Sequence, residues 1–421
     1  MPIEYWRIAD ITETSLAYFL PKTERFHTIL HVPGSHTLYV GPSSCTRRHA
    51  IHAIEHGDDR RDSSFLFISE ADVISGSYEE MIGDAVAELC EIIEPVPHIF
   101  FIAVFCIDDF LGTDEKAMLE DLHARFPGKQ FVVDNIDPVT LDKNKNMAMK
   151  KHVNIFSFLE PQASKDSGVN FLGNFVSLEP ECEFLHLLKS WGVSTVREIF
   201  HCRTYEEYQD MTRSQLSIVM RFMGEAPAKF MQENMGIPFY YFPPDYNVYD
   251  IAKGYKDIAA MLGHEAPDFS ADIADVLADA AQTVKTLGVI PIAIDAGALM
   301  RPFSAAKALV EYGFEVKYIF SSSHKYNIDE EAELYIGKNH PNIEIITKDI
   351  YANVNREPDH EIIAIGTDCA RLLQARHFVD IWHDEGYFGF HGIHRLFGAM
   401  RDSLKIKRDW PELPIPGKEE A

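Results

Sequence analysis

The chain has 421 residues, of which 46% are hydrophobic and 25% are charged, and this composition predicts a soluble protein with about two or three domains. Acidic residues outnumber basic ones by 65 to 39, and the net charge of −26 argues against nucleic acid and anionic membranes as partners. No apolar signal core occurs, and no run approaches the roughly 18 apolar residues of a membrane span. We therefore expect a cytoplasmic protein.

The first part of the chain alternates short apolar runs with amphipathic stretches. The runs 38–40, 65–68, 99–105 and 130–134 are bounded by turn residues and predict strands. Between them, segments 78–93 and 115–126 carry apolar residues at spacings of three and four, which predicts helices. Such an alternation is typical of a parallel sheet with helices between its strands.

The same alternation continues to the end of the chain. Strands are predicted at 169–176, 192–200, 216–222, 289–294, 315–320, 343–346, 361–365 and 378–381, and helices at 181–191, 226–234, 250–262, 270–286, 303–312 and 392–405. Gly297 alone is far from a dinucleotide-binding glycine pattern, so no nucleotide is expected at the third unit. The sequence predicts an α/β fold with three Rossmann-like parallel-sheet domains, at 1–165, 166–287 and 288–421, around a central cleft.

Two cysteines follow predicted strands of the first unit. Cys45 lies where strand 38–40 has ended and a helix begins, and Cys106 follows strand 99–105 and precedes an acidic, glycine-containing loop. Ligands collect at the edge of an open α/β sheet where the strands end, so both thiols can face one site there. A helix N-terminus favours the thiolate of Cys45. The alternative for Cys45 is a small buried residue in a turn.

The spacing of all six cysteines limits the possible chemistry. No C-x-x-C pair occurs, which argues against a disulfide framework and against a zinc knuckle. Ligands of an iron–sulfur cluster gathered from distant loops remain compatible with this spacing. Four cysteines are interpreted as core residues, and these are Cys90, Cys182, Cys202 and Cys369.

Four segments, taken in order, resemble motifs of the nitrogenase component 1 superfamily. Gly41-Pro-Ser-Ser-Cys45 is similar to the family's G-P-x-G-C cluster-ligand motif, and residues 106–114 are similar to its second cysteine motif. Residues 68–76 resemble an acidic E-x-D-V-V-F-G-G segment, and residues 383–394 resemble a C-terminal His-x-x-x-Y-x-G-x-x-G stretch. The matches extend over nearly the whole chain, and the resemblance implies the fold of a nitrogenase component 1 subunit.

The resemblance also implies a cofactor, with Cys45 and Cys106 as its metal ligands. No cysteine precedes Cys45, and stretch 216–222 lacks the family's cofactor-binding cysteine, so molybdenum cofactor binding and dinitrogen reduction are not expected. The economical solution is one [4Fe–4S] cluster shared across a homodimer axis, with two cysteines from each chain. A paralogous subunit is the alternative partner, and a tetrapyrrole or another organic or metal-containing ligand is expected in the cleft.

Histidines supply the candidate proton chemistry. His383 aligns with the family's cofactor or active-site histidine, and together with His391 it is predicted to be catalytic as a proton donor. Tyr387 is predicted to bind substrate, as are Arg47 and His49, which can attract an anionic substrate near the cluster. The alternatives are a hydrogen-bonded structural turn for 383–394 and a solvated or subunit-facing helix for 47–56.

The resemblance implies an oxidoreductase that works under anaerobic conditions. It would accept electrons from an ATP-dependent, nitrogenase-reductase-like iron protein and reduce a substrate other than dinitrogen. A cofactor assembly scaffold or carrier of the same fold is the alternative, and a ligand-binding protein that has lost its cluster is a third possibility. Asp108, Asp109 and Asp114 either dock the reductase or cap a helix, and we prefer capping.

Overall fold

The computed structural model describes residues 32–46, 63–105, 112–135, 153–174, 176–321, 329–347 and 357–409. In these residues, strands alternate with helices along the chain and form three parallel β-sheets. This confirms the predicted α/β class with three parallel sheets. The chain divides into two compact units, which consist of Met1–Phe175, Val196–Ser217 and Met223–Phe239 and of Val176–Thr195, Ile218–Phe222 and Tyr240–Ala421. The domain boundaries at 1–165, 166–287 and 288–421 stay a prediction.

In the described residues, the first sheet has four strands in the order β2-β1-β3-β4. Strands β1 and β3 are therefore neighbours in the sheet although β2 lies between them in the sequence. Its strands are β1 (Ser35–Gly41), β2 (Ser63–Phe67), β3 (Ile99–Val104) and β4 (Gln130–Asn135). The predicted runs are thus strands. Strand β1 pairs with β3 in parallel register, with Val40 opposite Val104.

The other strands of the described residues form the second and third sheets. The second has the order β6-β5-β7-β8 and the third has the order β11-β10-β9-β12-β13. Their strands are β5 (Val169–Leu172), β6 (Val196–Glu198), β7 (Leu216–Val219), β8 (Phe239–Tyr241), β9 (Ile292–Asp295), β10 (Val316–Ser321), β11 (Glu344–Thr347), β12 (Ile363–Ile365) and β13 (His377–Val379). The order of the third sheet reverses direction between β9 and β12, which makes this pair a topological switch point.

Helices connect the strands. They are α1 (Glu70–Ser75), α2 (Tyr78–Ile92), α3 (Glu115–Arg125), α4 (Glu183–Ser190), α5 (Tyr205–Gln209), α6 (Glu225–Met235), α7 (Val248–Met261), α8 (Ser270–Leu287), α9 (Pro302–Glu311), α10 (Glu330–Asn339), α11 (Thr367–Leu373) and α12 (Gly389–Ser403). Pro302 occupies the first turn of α9, where its missing N–H is tolerated. Across the described residues, none of these helices has the length and apolar character that a membrane crossing requires.

The two faces of the first sheet are covered differently, because successive side chains of a strand point to opposite faces. Leu38, Ile102 and Ile82 belong to a large core that one face builds with α2 and α3. The other face carries a smaller group of buried side chains, here called the aromatic cluster, which consists of Tyr39, Phe65, Ala103 and Phe105. Cys45 and Phe67 pack against this aromatic cluster.

Helix α12 begins at Gly389, three residues before the predicted start. The Glu183 carboxylate accepts hydrogen bonds from the N–H groups of Phe390 (2.6 Å) and His391 (3.1 Å), which have no partner inside the helix. Tyr255 donates a further hydrogen bond of 2.6 Å to the same carboxylate. Since Glu183 lies about two hundred residues away in sequence, local pattern could not reveal this cap.

Candidate functional sites at two sheet edges

The carboxyl ends of β1 and β3 place the first cysteine at the expected edge. Residues 43–46 form a helical turn directly after β1, in which the N–H of Cys45 donates to the Pro42 carbonyl at 2.9 Å. On the neighbouring strand, Phe105 follows Val104 and belongs to the aromatic cluster on which Cys45 packs. Cys45 and the residue that precedes Cys106 therefore share one sheet edge. Cys106 itself lies outside the described residues.

Among the described residues, the side chains packed against Cys45 are apolar. Its side chain is half-buried, and the rings of Tyr39 and Phe65 stack beneath it with centroids 5.1 Å apart. Gly41 leaves room for Phe105, because a Cβ at this position would lie 2.8 Å from the Phe105 ring. A soft sulfur donor in a half-buried, apolar place suits an iron–sulfur cluster. Within the described ranges, no group of three or more His, Cys, Asp or Glu side chains is arranged to hold a metal ion.

The remaining predictions for this unit divide into two groups. Arg47, His49, Asp108 and Asp109 lie outside the described residues. Asp114 is described, and its carboxylate accepts hydrogen bonds from the N–H groups of Lys116 (3.1 Å) and Ala117 (3.0 Å) at the start of α3. The capping interpretation of Asp114 is confirmed.

Two of the four cysteines interpreted as core residues are buried, and the other two, Cys90 and Cys202, are half-buried. Cys182 and Cys369 are buried, and Cys90 packs against the large core of the first sheet. Burial raises the pKa of Cys182 to about 12 and that of Cys202 to about 11. These two thiols are therefore protonated at neutral pH, unlike a metal-bound cysteine.

At the switch point of the third sheet, in the second unit, a buried aspartate joins the loops that follow β9 and β12. The Asp295 carboxylate at the end of β9 accepts hydrogen bonds from the N–H groups of Gly297 (2.7 Å), Asp368 (2.9 Å) and Cys369 (3.2 Å). Gly366, directly after β12, has φ +110°, and a Cβ there would lie 2.6 Å from the Asp295 Cβ. Asp295 and the loop after β12 are therefore packed closely together at the switch point.

His383 and Asp384 lie against the same edge, four and five residues after the end of β13. The N–H of His383 donates to the Gly297 carbonyl at 3.0 Å, and that of Asp384 donates to the Ala298 carbonyl at 2.8 Å. Both residues have positive φ, +48° and +58°, a left-handed conformation that costs a residue with a Cβ about 1–2 kcal/mol. Two strained residues therefore occur in succession at the position of the predicted proton donor.

A buried polar network surrounds this turn. The Asp384 carboxylate accepts hydrogen bonds of 2.8 Å from the Tyr246 hydroxyl and from the Met300 N–H. Burial raises the pKa of Asp384 to about 6, against the lowering effect of these hydrogen bonds and of Arg221. The Arg221 guanidinium, which is 6% exposed, donates to the carbonyl oxygen of His383. The side chain of His383 remains half-buried, and its ring stacks on Trp382 with centroids 4.4 Å apart.

His391 and Tyr387 occupy a separate network at the start of α12. His391 Nε2 lies 2.8 Å from a carboxylate oxygen of Glu179, whose other oxygen lies 2.6 Å from Arg395. The Arg395 guanidinium also lies 4.6 Å from the centroid of the Tyr387 ring, and Tyr387 is 8% exposed. These contacts are the kind that fix a helix end. The predicted catalytic role of His391 and the substrate role of Tyr387 stay predictions.

Sequence patterns gave no indication of several residues at this edge. Arg221 lies just past the end of β7 and 162 residues before its partner, and Tyr246 lies 138 residues before Asp384. A polar cavity of about 410 Å³ lies near them and includes Asp245, Asp250, Arg301, Lys307 and Asp329 in its lining. Arg301 pairs there with Asp245 at 2.7 Å. No sequence signal marked Arg221, because it falls inside the predicted strand 216–222, whereas β7 ends at Val219.

The chain is similar to known proteins over most of its length. The family model for nitrogenase component 1 type oxidoreductases matches residues 27–405. The nitrogenase iron-molybdenum cofactor biosynthesis protein NifE of Clostridium pasteurianum is 25% identical over 213 residues, which cover 49% of this chain and 44% of that protein. The chain therefore aligns with less than half of the length of this relative.

Solved nitrogenase structures resemble the chain in fold. The structure of nitrogenase Cp1 at pH 6.5 has a TM-score of 0.67 and 14% sequence identity, and the match covers 91% of each chain. The structure of nitrogenase Cp1 at pH 5 has a TM-score of 0.54 and 14% identity, covering 89% of this chain and 85% of that one. At this level of identity, the likeness extends to the fold alone.

Proposed function

The chain belongs to the nitrogenase component 1 type oxidoreductase family, and from this premise we propose that it is the catalytic component of a nitrogenase-like reductase. It accepts electrons from an ATP-dependent iron protein and reduces a substrate other than dinitrogen. The observation that carries the proposal is the shared edge of β1 and β3, where Cys45 packs on the same aromatic cluster as Phe105, the neighbour of Cys106. Two thiols at one such edge suit an iron–sulfur cluster.

Cys45 and Cys106 are the proposed ligands of a [4Fe–4S] cluster, which would supply one-electron transfer when bound. A chain with two such thiols completes a set of four through a second copy or a paralogous subunit. The aromatic cluster next to Cys45 shields the sulfur from water on one side, because its members are buried apolar residues. Low solvent access is one of the factors that tune the potential of such a site.

His383 is the proposed proton donor for substrate reduction. Reduction of an unsaturated substrate consumes protons as well as electrons, and an imidazole titrates near neutral pH. Support comes from its half-buried place at a sheet edge and from its strained backbone, which the surrounding network fixes. Arg47 and His49 are proposed to attract an anionic substrate such as a tetrapyrrole. Tyr387 is proposed to bind substrate, and His391 is proposed to act as a second proton donor.

Anaerobic reconstitution with iron and sulfide tests the cluster. The wild-type chain should develop absorbance near ~400 nm and hold about four irons per dimer. Cys45→Ala and Cys106→Ala should each lose most of this iron, because a missing thiolate leaves the cage incomplete. Cys90→Ala, which removes a half-buried cysteine of α2, is the matched control and should keep its iron. Full iron content in both edge variants would refute the ligand assignment.

A cofactor assembly scaffold is the second candidate, and it is favoured by the similarity to a protein named for cofactor biosynthesis. A scaffold holds its cargo and passes it on, whereas a reductase turns substrate over. Reduced iron protein with ATP and a candidate tetrapyrrole should give product with the wild-type chain. His383→Ala should slow this on the order of 10²–10⁴ fold and keep the iron. Release of bound cofactor to an acceptor without turnover would favour the scaffold.

A further inference from the structure

The turn at His383 and Asp384 places two successive residues with a Cβ in the left-handed conformation. Consecutive side chains with a Cβ disfavour positive φ, because each Cβ approaches the following carbonyl oxygen. Such a conformation persists only where the surrounding structure fixes it, and it is concentrated at functional sites. The residues that fix this turn therefore matter for any role of His383.

Two kinds of contact fix the turn. The first is between backbone groups, because the two N–H groups of the turn donate to carbonyls of the loop after β9. The second comes from charged side chains. Arg221 donates to the carbonyl of His383, and the Asp384 carboxylate bridges Tyr246 and the backbone of Met300. Each charged side chain thereby holds one residue of the strained pair.

Burying the charged side chain of Arg221 costs free energy, although its hydrogen bond holds only a backbone carbonyl. It is 6% exposed, and burial lowers its pKa while the neighbouring Asp384 and Glu385 raise it. Removing charges from water costs free energy, and their mutual attraction offsets this cost only in part. Apolar side chains of the same size often stabilise a fold as much as a buried ion pair does. A buried arginine that binds the backbone of a strained histidine is better explained by orientation than by stability.

We propose that Arg221 and Asp384 are positioning residues that hold the His383 turn in its left-handed form and so fix the direction of the His383 imidazole. This inference rests on the proposed role of His383 as the proton donor. Neither residue is assigned contact with substrate. Without them, the backbone is expected to return to a conformation with negative φ, and the imidazole should leave the face of Trp382.

The stacking on Trp382 supplies a direct readout that needs no substrate. A ring proton held over an indole has a shifted NMR resonance, and the two centroids are 4.4 Å apart here. The full chain is labelled with ¹³C-histidine, and the His383 signal is identified by its loss in His383→Gln. The wild-type signal should be displaced from the position of a solvent-exposed histidine.

Arg221→Met should move the His383 signal towards the solvent-exposed position, and Arg221→Lys, which keeps a charged donor, should restore most of the displacement. The matched control is Arg401→Met, which removes an arginine of the same unit that pairs with Asp279 at 2.6 Å. It should leave the signal in place. Where Arg221→Met does not fold, Asp384→Ala provides the decisive measurement, with the same movement expected.

An unchanged His383 signal in a folded Arg221→Met or Asp384→Ala protein would overturn the inference. A signal that moves equally in Arg401→Met would also overturn it, because the effect would then be general loosening. This test is separate from the proposed function, which depends on the turnover of His383→Ala. Full turnover in that variant would reject the proton-donor role, whatever the NMR result for the positioning residues.

Discussion

The two candidate edges both lie at the carboxyl ends of parallel strands, yet they are built differently. In the described residues around Cys45, the edge of the first sheet is mainly apolar, with Cys45 on the aromatic cluster and the Ser44 hydroxyl 3.9 Å from its sulfur. The edge of the third sheet is polar, with buried Asp295, Asp384 and Arg221 joined to backbone groups by hydrogen bonds. The common topology therefore does not determine the chemistry of an edge.

This difference indicates how each edge responds to change. Apolar packing is non-directional, so the aromatic cluster can shift by small ring movements at modest cost. Hydrogen bonds depend on distance and angle, and a buried group that loses its partner keeps the full cost of leaving water. We therefore expect the polar edge to be the more sensitive of the two, and four substitutions test this.

Gly366→Ala should have the largest effect. Its new Cβ would lie 2.6 Å from the Asp295 Cβ and 2.8 Å from the Ala298 Cβ, and the φ of +110° is strained for alanine. Overpacking and backbone strain together should lower the free energy of unfolding by roughly 3–5 kcal/mol. Urea denaturation followed by circular dichroism measures this loss. A cost below about 1 kcal/mol would contradict the rigid description of the polar edge.

Gly41→Ala is the corresponding change at the apolar edge. Its Cβ would lie 2.8 Å from the Phe105 ring, at a glycine without positive φ. The ring can move, so the free energy of unfolding should fall by only about 1–3 kcal/mol in the same assay. If this variant proves less stable than Gly366→Ala, then the predicted difference between the two edges is wrong.

Asp384→Asn should change how stability depends on pH. The pKa of Asp384 is raised to about 6 from 3.8, so the folded state binds the proton more tightly than the unfolded state. This contribution is therefore fully present below pH 4 and is lost as pH rises through about 6. Between pH 5 and 7.5, the wild type should lose on the order of 1 kcal/mol relative to the asparagine variant.

Denaturation of both proteins at several pH values measures that difference. The matched control is Asp268→Asn, which changes an exposed aspartate whose pKa is lowered by hydrogen bonds to Ser270. It should not show a relative gain as the pH rises. A constant difference between wild type and Asp384→Asn across this range would show that the carboxyl does not titrate there.

Asp114→Ala should have the smallest effect. It removes the cap of α3, which accepts two N–H groups, and such caps contribute about 1 kcal/mol. Asp114→Asn keeps an accepting oxygen and should retain most of the stability in thermal unfolding. The cap lies at the same end of the first sheet as Cys45, so a large loss would reveal that this edge also depends on polar contacts.

Local patterns in the sequence determined much of the fold. Apolar runs such as 99–105 and turn residues such as Gly236 mark strands and helix ends, because these depend on side chains close together in the chain. The strands before Cys45 and Cys106 could be predicted for the same reason. The capping role of Asp114 could also be predicted, because this residue directly precedes the predicted helix at 115–126.

Only the tertiary structure decided which strands became neighbours and which distant side chains met at each edge. Three contacts each join distant residues: the pairing of β1 with β3, the hydrogen bond of Arg221 to His383 and that of Asp295 to the start of α11. No local periodicity encodes such contacts, because they depend on the crossover of strands and on burial from several sides. The same holds for the raised pKa of Asp384, which results from its removal from water by residues far along the chain.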